Sequence, residues 1–363
     1  MTASDSKISK QLNFFNGLLI GCISLFASLF ILIIGCLFIL INKYHSFLSA
    51  ANLTNQEITA ILKQVNYGQQ DTTTTFLILG VDAVANRNGD PQLSDTMILL
   101  KLDLESFQIK LLSLPRDLWS DDYQTKINAL YHYGQEKYPD NPEKFSAEVI
   151  TELTGISIDY TLVLNIDQLR ELIDLIGGIE VDVAYSFTDA EFPRDDVDIR
   201  TVSDPDILYE TISFTEGLQI MDGETALKYI RSRHSDSLTT GTDVARSQRQ
   251  QQVISAIFNH LAEPWQYWHQ PEKAGLLVNY YQENFGETLP LATLLELIRL
   301  IGPNINQLSL VPIGLTFYPD DPSGLIENPK NLRPYQNQWV YLIRDENLFK
   351  EYLTKQFNQL IDM

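Results

Sequence analysis

The chain has 363 residues, 44% of them apolar, with 26 basic against 47 acidic residues and a formal net charge of −21. Length and apolar content suffice for a buried core in one large domain or two small ones. The negative balance excludes a protein that coats nucleic acid, which needs a basic face, but not one that holds a single anion in a local positive field.

Residues 11–42 carry no charged side chain. A helix needs about 20 residues to span the hydrocarbon core of a bilayer. A signal peptide has a shorter apolar stretch, ~7–15 residues, and a small-residue cleavage site. The run therefore predicts a membrane-spanning helix over 14–42 behind a short tail, 1–13, and makes a lipid bilayer the first expected partner. Lys7 and Lys10 precede the run and Lys43 follows it. By a small margin, the positive-inside rule puts the amino terminus in the cytoplasm and the remainder outside. Both cysteines, Cys22 and Cys36, fall within the span, so the outer portion holds no disulfide.

Residues 43–75 read as a polar stalk, helical around 56–64 and ending in a threonine run. A strand follows at 76–79, closed by Gly80. Apolar runs at 97–102 and 108–114, joined by a short polar segment, predict a hairpin. Residues 145–153 read as a helix stopped by Gly155, and 158–164 as a strand. Residues 167–176 form an amphipathic helix with Leu169, Leu172, Ile173 and Ile176 on one face, ended by Gly177 and Gly178; 179–183 is again a strand. Alternating strands and helices imply an α/β fold: a mixed central β-sheet with helices on both faces. The main domain is expected over 76–320, with an extension at 321–363. Residues 186–211, rich in aspartate and carrying Pro193 and Pro205, read as an irregular acidic loop, either solvated or a lid beside a site. Asp222 is a good N-cap for the helix that follows. Residues 245–261 form another helix, with Val253, Ile254, Ile257, Phe258 and Leu261 as its buried stripe. Further helices are expected at 291–301 and 348–360, and a strand at 307–313.

Within this acidic chain Arg231, Arg233, Arg246 and Arg249 lie close together. A planar, permanently charged guanidinium grips phosphate through two parallel hydrogen bonds. Arg231 and Arg233 share a face only where the helix has ended and the chain extends. Arg246, Gln250, Val253 and Ile257 fall on one helical stripe, polar at its amino end, where anions are favoured. The competing reading is an exposed basic patch pairing with nearby carboxylates. Upstream, Gly80-Val81-Asp82 sets a carboxylate at the carboxyl edge of the sheet, where α/β proteins bind ligands, or in a simple turn. Ser94-Asp95-Thr96 is an oxygen set suited to Mg²⁺, or a strand-entry cap. Pro115-Arg116-Asp117 closes the third strand, and Lys126 and Asn128 follow in the loop.

At these positions the chain resembles the LytR-CpsA-Psr (LCP) family of cell-envelope glycopolymer phosphotransferases. The resemblance runs through Phe76-Leu-Ile-Leu-Gly-Val-Asp82, Ser94-Asp-Thr-Met-Ile-Leu99, Leu112-Ser-Leu-Pro-Arg-Asp117, Lys126-Ile-Asn-Ala129 and Ile176-Gly-Gly-Ile-Glu-Val-Asp182. It continues through Met221-Asp-Gly-Glu-Thr-Ala-Leu-Lys-Tyr-Ile-Arg-Ser-Arg-His234 and Asp243-Val-Ala-Arg-Ser-Gln-Arg-Gln-Gln251. It implies Mg²⁺-dependent transfer of a polyprenyl-pyrophosphate-linked glycan onto a cell-wall acceptor such as peptidoglycan, and an apolar pocket for the lipid. By motif position, it implies that Asp82 and Asp95 serve the metal. Arg116, Lys126, Arg231, Arg233, Arg246, Arg249 and Gln250 would bind pyrophosphate. Asp82, Asp95, Arg116 and Asp243 would be catalytic, Asp243 as base or orienter of the attacking hydroxyl. In one departure, Leu93 stands where the family commonly has an arginine; Arg87 or Lys126 would be its substitutes. A lipid-pyrophosphate hydrolase and a non-catalytic envelope-binding or regulatory protein are the alternatives. The testable expectation is geometric: these groups should meet at the mouth of an apolar tunnel.

Overall fold

The computed structural model describes residues 28–68, 72–81, 92–194, 197, 204–233, 235, 241–261, 267 and 269–359, with only the backbone at 205, 206, 243, 244, 247 and 306. The chain divides into two compact units, Met1–Asn55 with Trp265–Asn279, and Gln56–Pro264 with Tyr280–Met363.

In the first unit, helix α1 (Ser28–Ala50) has 23 residues and a mean hydropathy of 1.8 over its most apolar stretch, long and apolar enough to cross a membrane. Its apolar side chains face outward: Ile31 is 69% exposed and Phe38 64%. The helix runs past residue 42, where the sequence reading ended the span, and its last turn is packed: Leu48 and Ala51 are buried. Gly275 on the helix Pro271–Phe285 makes that packing possible, because a Cβ there would lie 2.4 Å from the Phe47 carbonyl oxygen.

The second unit begins with α2 (Asn55–Gln64), whose first residue belongs to the other unit. Strands β1 (Thr73–Val81), β2 (Ser94–Asp103) and β3 (Gln108–Ser113) follow as an antiparallel meander. A small hairpin, β4 (Trp119–Ser120) and β5 (Thr125–Lys126), leads through α3 (Leu130–Lys137) and α4 (Glu143–Thr154) to β6 (Tyr160–Asn165). Next come α5 (Ile166–Ile176), β7 (Ile179–Val183), β8 (Phe187–Pro193), α6 (Pro205–Leu208), β9 (Tyr209–Phe214), β10 (Gly217–Met221), α7 (Gly223–Arg231) and α8 (Asp243–Leu261). After helix Leu291–Ile301, β11 (Ser309–Ile313) returns to the sheet. The central sheet has the order β11-β3-β2-β1-β6, with β6 and β11 parallel to their neighbours, so it is mixed.

Side-chain alternation builds both layers. Leu77, Leu79, Met97, Leu99 and Leu112 point to one face, where Phe145, Val149 and Ile150 of α4 cover them. Phe76, Ile98, Leu102, Ile109 and Leu111 point to the other, against Ile254 and Phe258 of α8 and Leu289. The period of two along each strand puts neighbours on opposite faces. Each fully buried leucine contributes roughly 1.5–3 kcal/mol. The helix Glu346–Asn358 joins the first layer through Phe349, Leu353 and Phe357. Buried Lys110 on β3 donates to its terminal carbonyls, Gln356 O at 2.9 Å and Phe357 O at 3.3 Å, and also to Gln359 O. A cation at a helix carboxyl end is favoured by the dipole, although burial pushes the Lys110 ammonium below its ordinary pKa, opposed by Asp103.

Four readings need correction. Thr73–Thr75 are not stalk but the start of β1, paired with Asp103, Leu102 and Lys101; β-branched threonines suit a pleated surface. Strand β7 pairs with β10 outside the central sheet. Residues 186–211 include two paired strands, β8 and part of β9, because Phe187, Phe192, Ile212 and Phe214 need burial. Leu261, expected on the buried stripe of α8, is 39% exposed.

Candidate functional site: an apolar cavity with a cationic mouth

The carboxyl ends of β1 and β6 lie side by side, Gly80 opposite Leu164 and Val81 opposite Asn165. The amino end of β2 lies beside them, with a bulge between Gly80 and Val81. Gly80 is needed there, since a Cβ would meet Thr96 Cβ at 2.8 Å. The bulge re-aims the strand end and leaves Asp95 and Thr96 on the wall of a cavity of about 430 Å³. Leu169 and Leu172 of α5, Leu227 and Ile230 of α7, and Val253 and Ile257 of α8 make its apolar body. Two caps orient these helices. Asn165 and Gln168 form a reciprocal capping box on α5, both bonds 2.8 Å. Thr242 accepts from the Ala245 amide at 3.1 Å at the start of α8.

At one end the lining turns polar. Arg231, Arg233, Arg246, Gln250, Asp95 and Asn165 all border the same cavity. Helix α7 ends at Arg231 and Ser232 is extended (φ −56°, ψ 134°), the condition under which Arg231 and Arg233 serve one site. The Arg231 guanidinium lies 5.4 Å from the Phe192 ring centroid, a cation–π contact on the cavity wall. Arg246 is 8% exposed. Four groups suited to phosphate thus stand at one end of a cavity with aliphatic walls.

Arg116 does not line the cavity; it acts at one remove. Its Nη1 donates to Asp95 Oδ1 at 2.5 Å, and its Nε lies 3.5 Å from Asp117 Oδ2. Lys126 Nζ is bound to Asp117 Oδ1 at 2.6 Å. The row Asp95–Arg116–Asp117–Lys126 holds the Asp95 carboxylate at the rim, and it occupies Lys126, the described substitute for the arginine absent at Leu93. Asp82 and Arg87 lie outside the described residues. Asp243 is the first residue of α8, and its side chain is likewise outside them.

Arg249 departs from the expected phosphate set. It is 4% exposed, with Nε donating to Tyr229 O at 2.9 Å and Nη2 to Ser232 O at 2.6 Å. Its guanidinium lies 5.0 Å from the Phe187 ring centroid. Burial lowers its pKa, opposed by Tyr229 and Asp189, yet a guanidinium stays charged at neutral pH. Asp189, read from sequence as part of an acidic loop, is fully buried. It accepts from Ser232 Oγ at 2.7 Å and from the Arg233 amide at 3.0 Å. Arg249 and Asp189 therefore fix the turn that delivers Arg231 and Arg233. Sequence reasoning missed Asp189; the available signal was its place two residues after Phe187, on the inward side of a strand.

The fold and site define an α/β domain with an apolar cavity lined in part by arginines. The sequence model of the LytR_cpsA_psr family matches residues 39–311, and the chain belongs to that family. It is 27% identical over 327 residues to the polyisoprenyl-teichoic acid–peptidoglycan teichoic acid transferase TagU of Oceanobacillus iheyensis, covering 88% of each chain. It is 29% identical over 194 residues to the transferase of the same description, TagV, of Bacillus subtilis, covering 52% of this chain and 44% of TagV. The crystal structure of B. subtilis TagV shares the fold with a TM-score of 0.54 at 20% identity, covering 80% of this chain and 97% of that one.

Proposed function

We propose that this protein transfers a polyprenyl-pyrophosphate-linked glycan, of the teichoic-acid class named for its relatives, onto peptidoglycan. The observation that carries the reading is the joining of Arg231, Arg233, Arg246 and Gln250 to an aliphatic cavity of about 430 Å³. A lipid pyrophosphate is the ligand with that shape of polarity: an apolar tail for Leu169, Leu172 and Ile257, and a polyanionic head for the guanidinium groups. In the reaction an acceptor hydroxyl attacks the phosphorus that bears the glycan. A new O–P bond forms, the bridging P–O bond breaks, and polyprenyl phosphate leaves with the hydroxyl proton taken up by it or by water. Such transfer depends on positioning and charge neutralisation rather than covalent catalysis.

Mg²⁺ fits the donor set. Asp95 offers a carboxylate at the rim with the Thr96 hydroxyl beside it. Among the described residues there is no cluster of three or more His, Cys, Asp or Glu that would make an all-protein cage. Mg²⁺ is commonly held by one or two carboxylates together with substrate phosphates; Asp95 would supply one, and the family resemblance assigns the other to Asp82. When bound, the ion would share the negative charge of the pyrophosphate. Helix α1 would anchor the chain, with its catalytic domain on the outer face of the cytoplasmic membrane. Protease treatment of intact protoplasts should then degrade the catalytic domain.

The test is transfer by the full chain from a lipid-pyrophosphate teichoic-acid donor to peptidoglycan. Arg233→Ala and Arg116→Ala should each lower turnover by about 10³-fold, and chelation should abolish a rate that added Mg²⁺ restores. Wild-type turnover in both variants would sink the reading. Glycan phosphate released at full rate without acceptor would make the protein a hydrolase.

A further inference from the structure

A second cavity, of about 460 Å³, adjoins the first, a volume in the range of ligand sites. Asp95, Thr96, Arg246 and Gln250 line both. These four residues form the partition between the cavities, and they are the rim at which the pyrophosphate is proposed to sit. The far walls differ in chemistry. The first cavity is backed by aliphatic side chains; the second also has aliphatic lining, such as Leu114, Ile313 and Leu315, but adds Gln248, Gln251 and Ser113 and the rings of Phe317 and Tyr341. Gln251 Nε2 is oriented by Ser113 Oγ at 3.2 Å. The two rings meet edge-on, with centroids 5.2 Å apart. The Tyr341 backbone is fastened at both polar groups, its amide to Asp117 O and its carbonyl to the Trp119 amide, each at 2.8 Å. Phe317 and Tyr341 lie beyond the 39–311 span that matches the family, whereas Ser113, Gln248 and Gln251 lie within it.

We propose that the second cavity is the acceptor subsite, holding the glycan strand whose hydroxyl attacks the phosphorus. A sugar ring needs partners that both donate and accept, which carboxamides supply, and an apolar surface for its C–H face, which rigid aromatic rings supply. Reaction geometry selects the acceptor over the donor's own glycan. In phosphoryl transfer the attacking and leaving oxygens lie on opposite sides of phosphorus. With the leaving polyprenyl phosphate in the first cavity, the hydroxyl must come from across the partition. Bond making and breaking are those given above. The inference rests on the proposed function and adds where the acceptor binds and which residues select it.

The experiment uses the full chain in lipid nanodiscs, with a peptidoglycan tetrasaccharide as acceptor. Phe317→Ala and Gln248→Ala should each raise the acceptor KM about tenfold or more, the loss expected on truncating a central contact. Turnover at saturating acceptor and affinity for bare polyprenyl pyrophosphate should stay within about twofold of wild type on the same scale. Gln248 is exposed, so its variant still reports if Phe317→Ala misfolds. An unchanged acceptor KM in Gln248→Ala and in folded Phe317→Ala would overturn the assignment. So would a loss of affinity confined to glycan-bearing donor, which would give the cavity to the donor's sugars. If wild-type protein transfers nothing, the proposed function fails separately. The subsite is then judged by direct titration of the tetrasaccharide onto protein loaded with polyprenyl pyrophosphate. Saturable binding weakened in Gln248→Ala supports it, and absent or unweakened binding overturns it.

Discussion

Arg246 and Arg249 leave α8 within one turn of each other, and their surroundings give them opposite tasks. Arg246 borders the cavity with Gln250 one turn further on. Arg249 is turned into the junction of α7 and β8, where two backbone carbonyls and the Phe187 ring surround it. At the mouth the positive charge borders the cavity. The junction behind it is a place where positive charge has already been satisfied by the protein. Proximity in sequence and identity of side chain do not separate the two; the surface that each guanidinium borders does.

The largest expected difference follows from removing one arginine from each region. Arg246→Ala should lower glycan transfer by about 10³-fold or more, as for a lost phosphate-stabilising group, with a smaller loss of urea stability than Arg249→Ala. Arg249→Ala should instead cost about 2–6 kcal/mol of folding stability, because it leaves two buried backbone carbonyls, Tyr229 O and Ser232 O, without this donor. Equilibrium urea unfolding measures this, and equal stability of both variants would erase the distinction. A smaller effect should come from the cavity body. Leu172→Trp should weaken binding of a long-chain polyprenyl pyrophosphate about tenfold, or ~1.4 kcal/mol, and leave inorganic pyrophosphate unaffected in competition assays.

The smallest effect concerns the far end of α7. Asp222 caps that helix by accepting from the Thr225 amide at 2.8 Å, and Asp222→Ala should cost about 1 kcal/mol. Hydrogen bonds from Thr225, side chain first and then backbone, hold the Asp222 pKa below its ordinary value of 3.8. A depressed carboxylate stabilises the folded state above its unfolded pKa and ceases to do so as pH falls through its folded value. The stability gap between wild type and Asp222→Ala should therefore be full at neutral pH and narrow below pH 3.8. A gap that stayed constant on acidification would assign the capping to the backbone geometry alone.

Much of the fold was legible because it is written locally. Near-continuous apolar runs at 76–79 and 97–102 mark strands, Gly155 and Gly177 take the left-handed conformation that ends their helices, and Asp222 and Asn165 cap theirs. The stripe Arg246, Gln250, Val253 and Ile257 was readable for the same reason, since helical spacing alone puts those residues on one face. The pairing of β7 with β10, and of β8 with β9, was not readable. Each depends on which distant segment offers a free edge and an apolar face.

Sequence by itself determined the family, the main strands and helices that its local patterns mark, and a cationic stripe at the head of α8. It did so because helix and strand periods and caps act over a few residues. Only the tertiary structure decided that Arg249 serves the scaffold, that Asp189 is buried beneath the turn bearing Arg233, and that Arg116 works through Asp95. It alone brought Phe317 and Tyr341 to the far side of the Asp95–Arg246 partition. Those outcomes depend on contacts between segments many residues apart, where burial forces each polar group to find a partner.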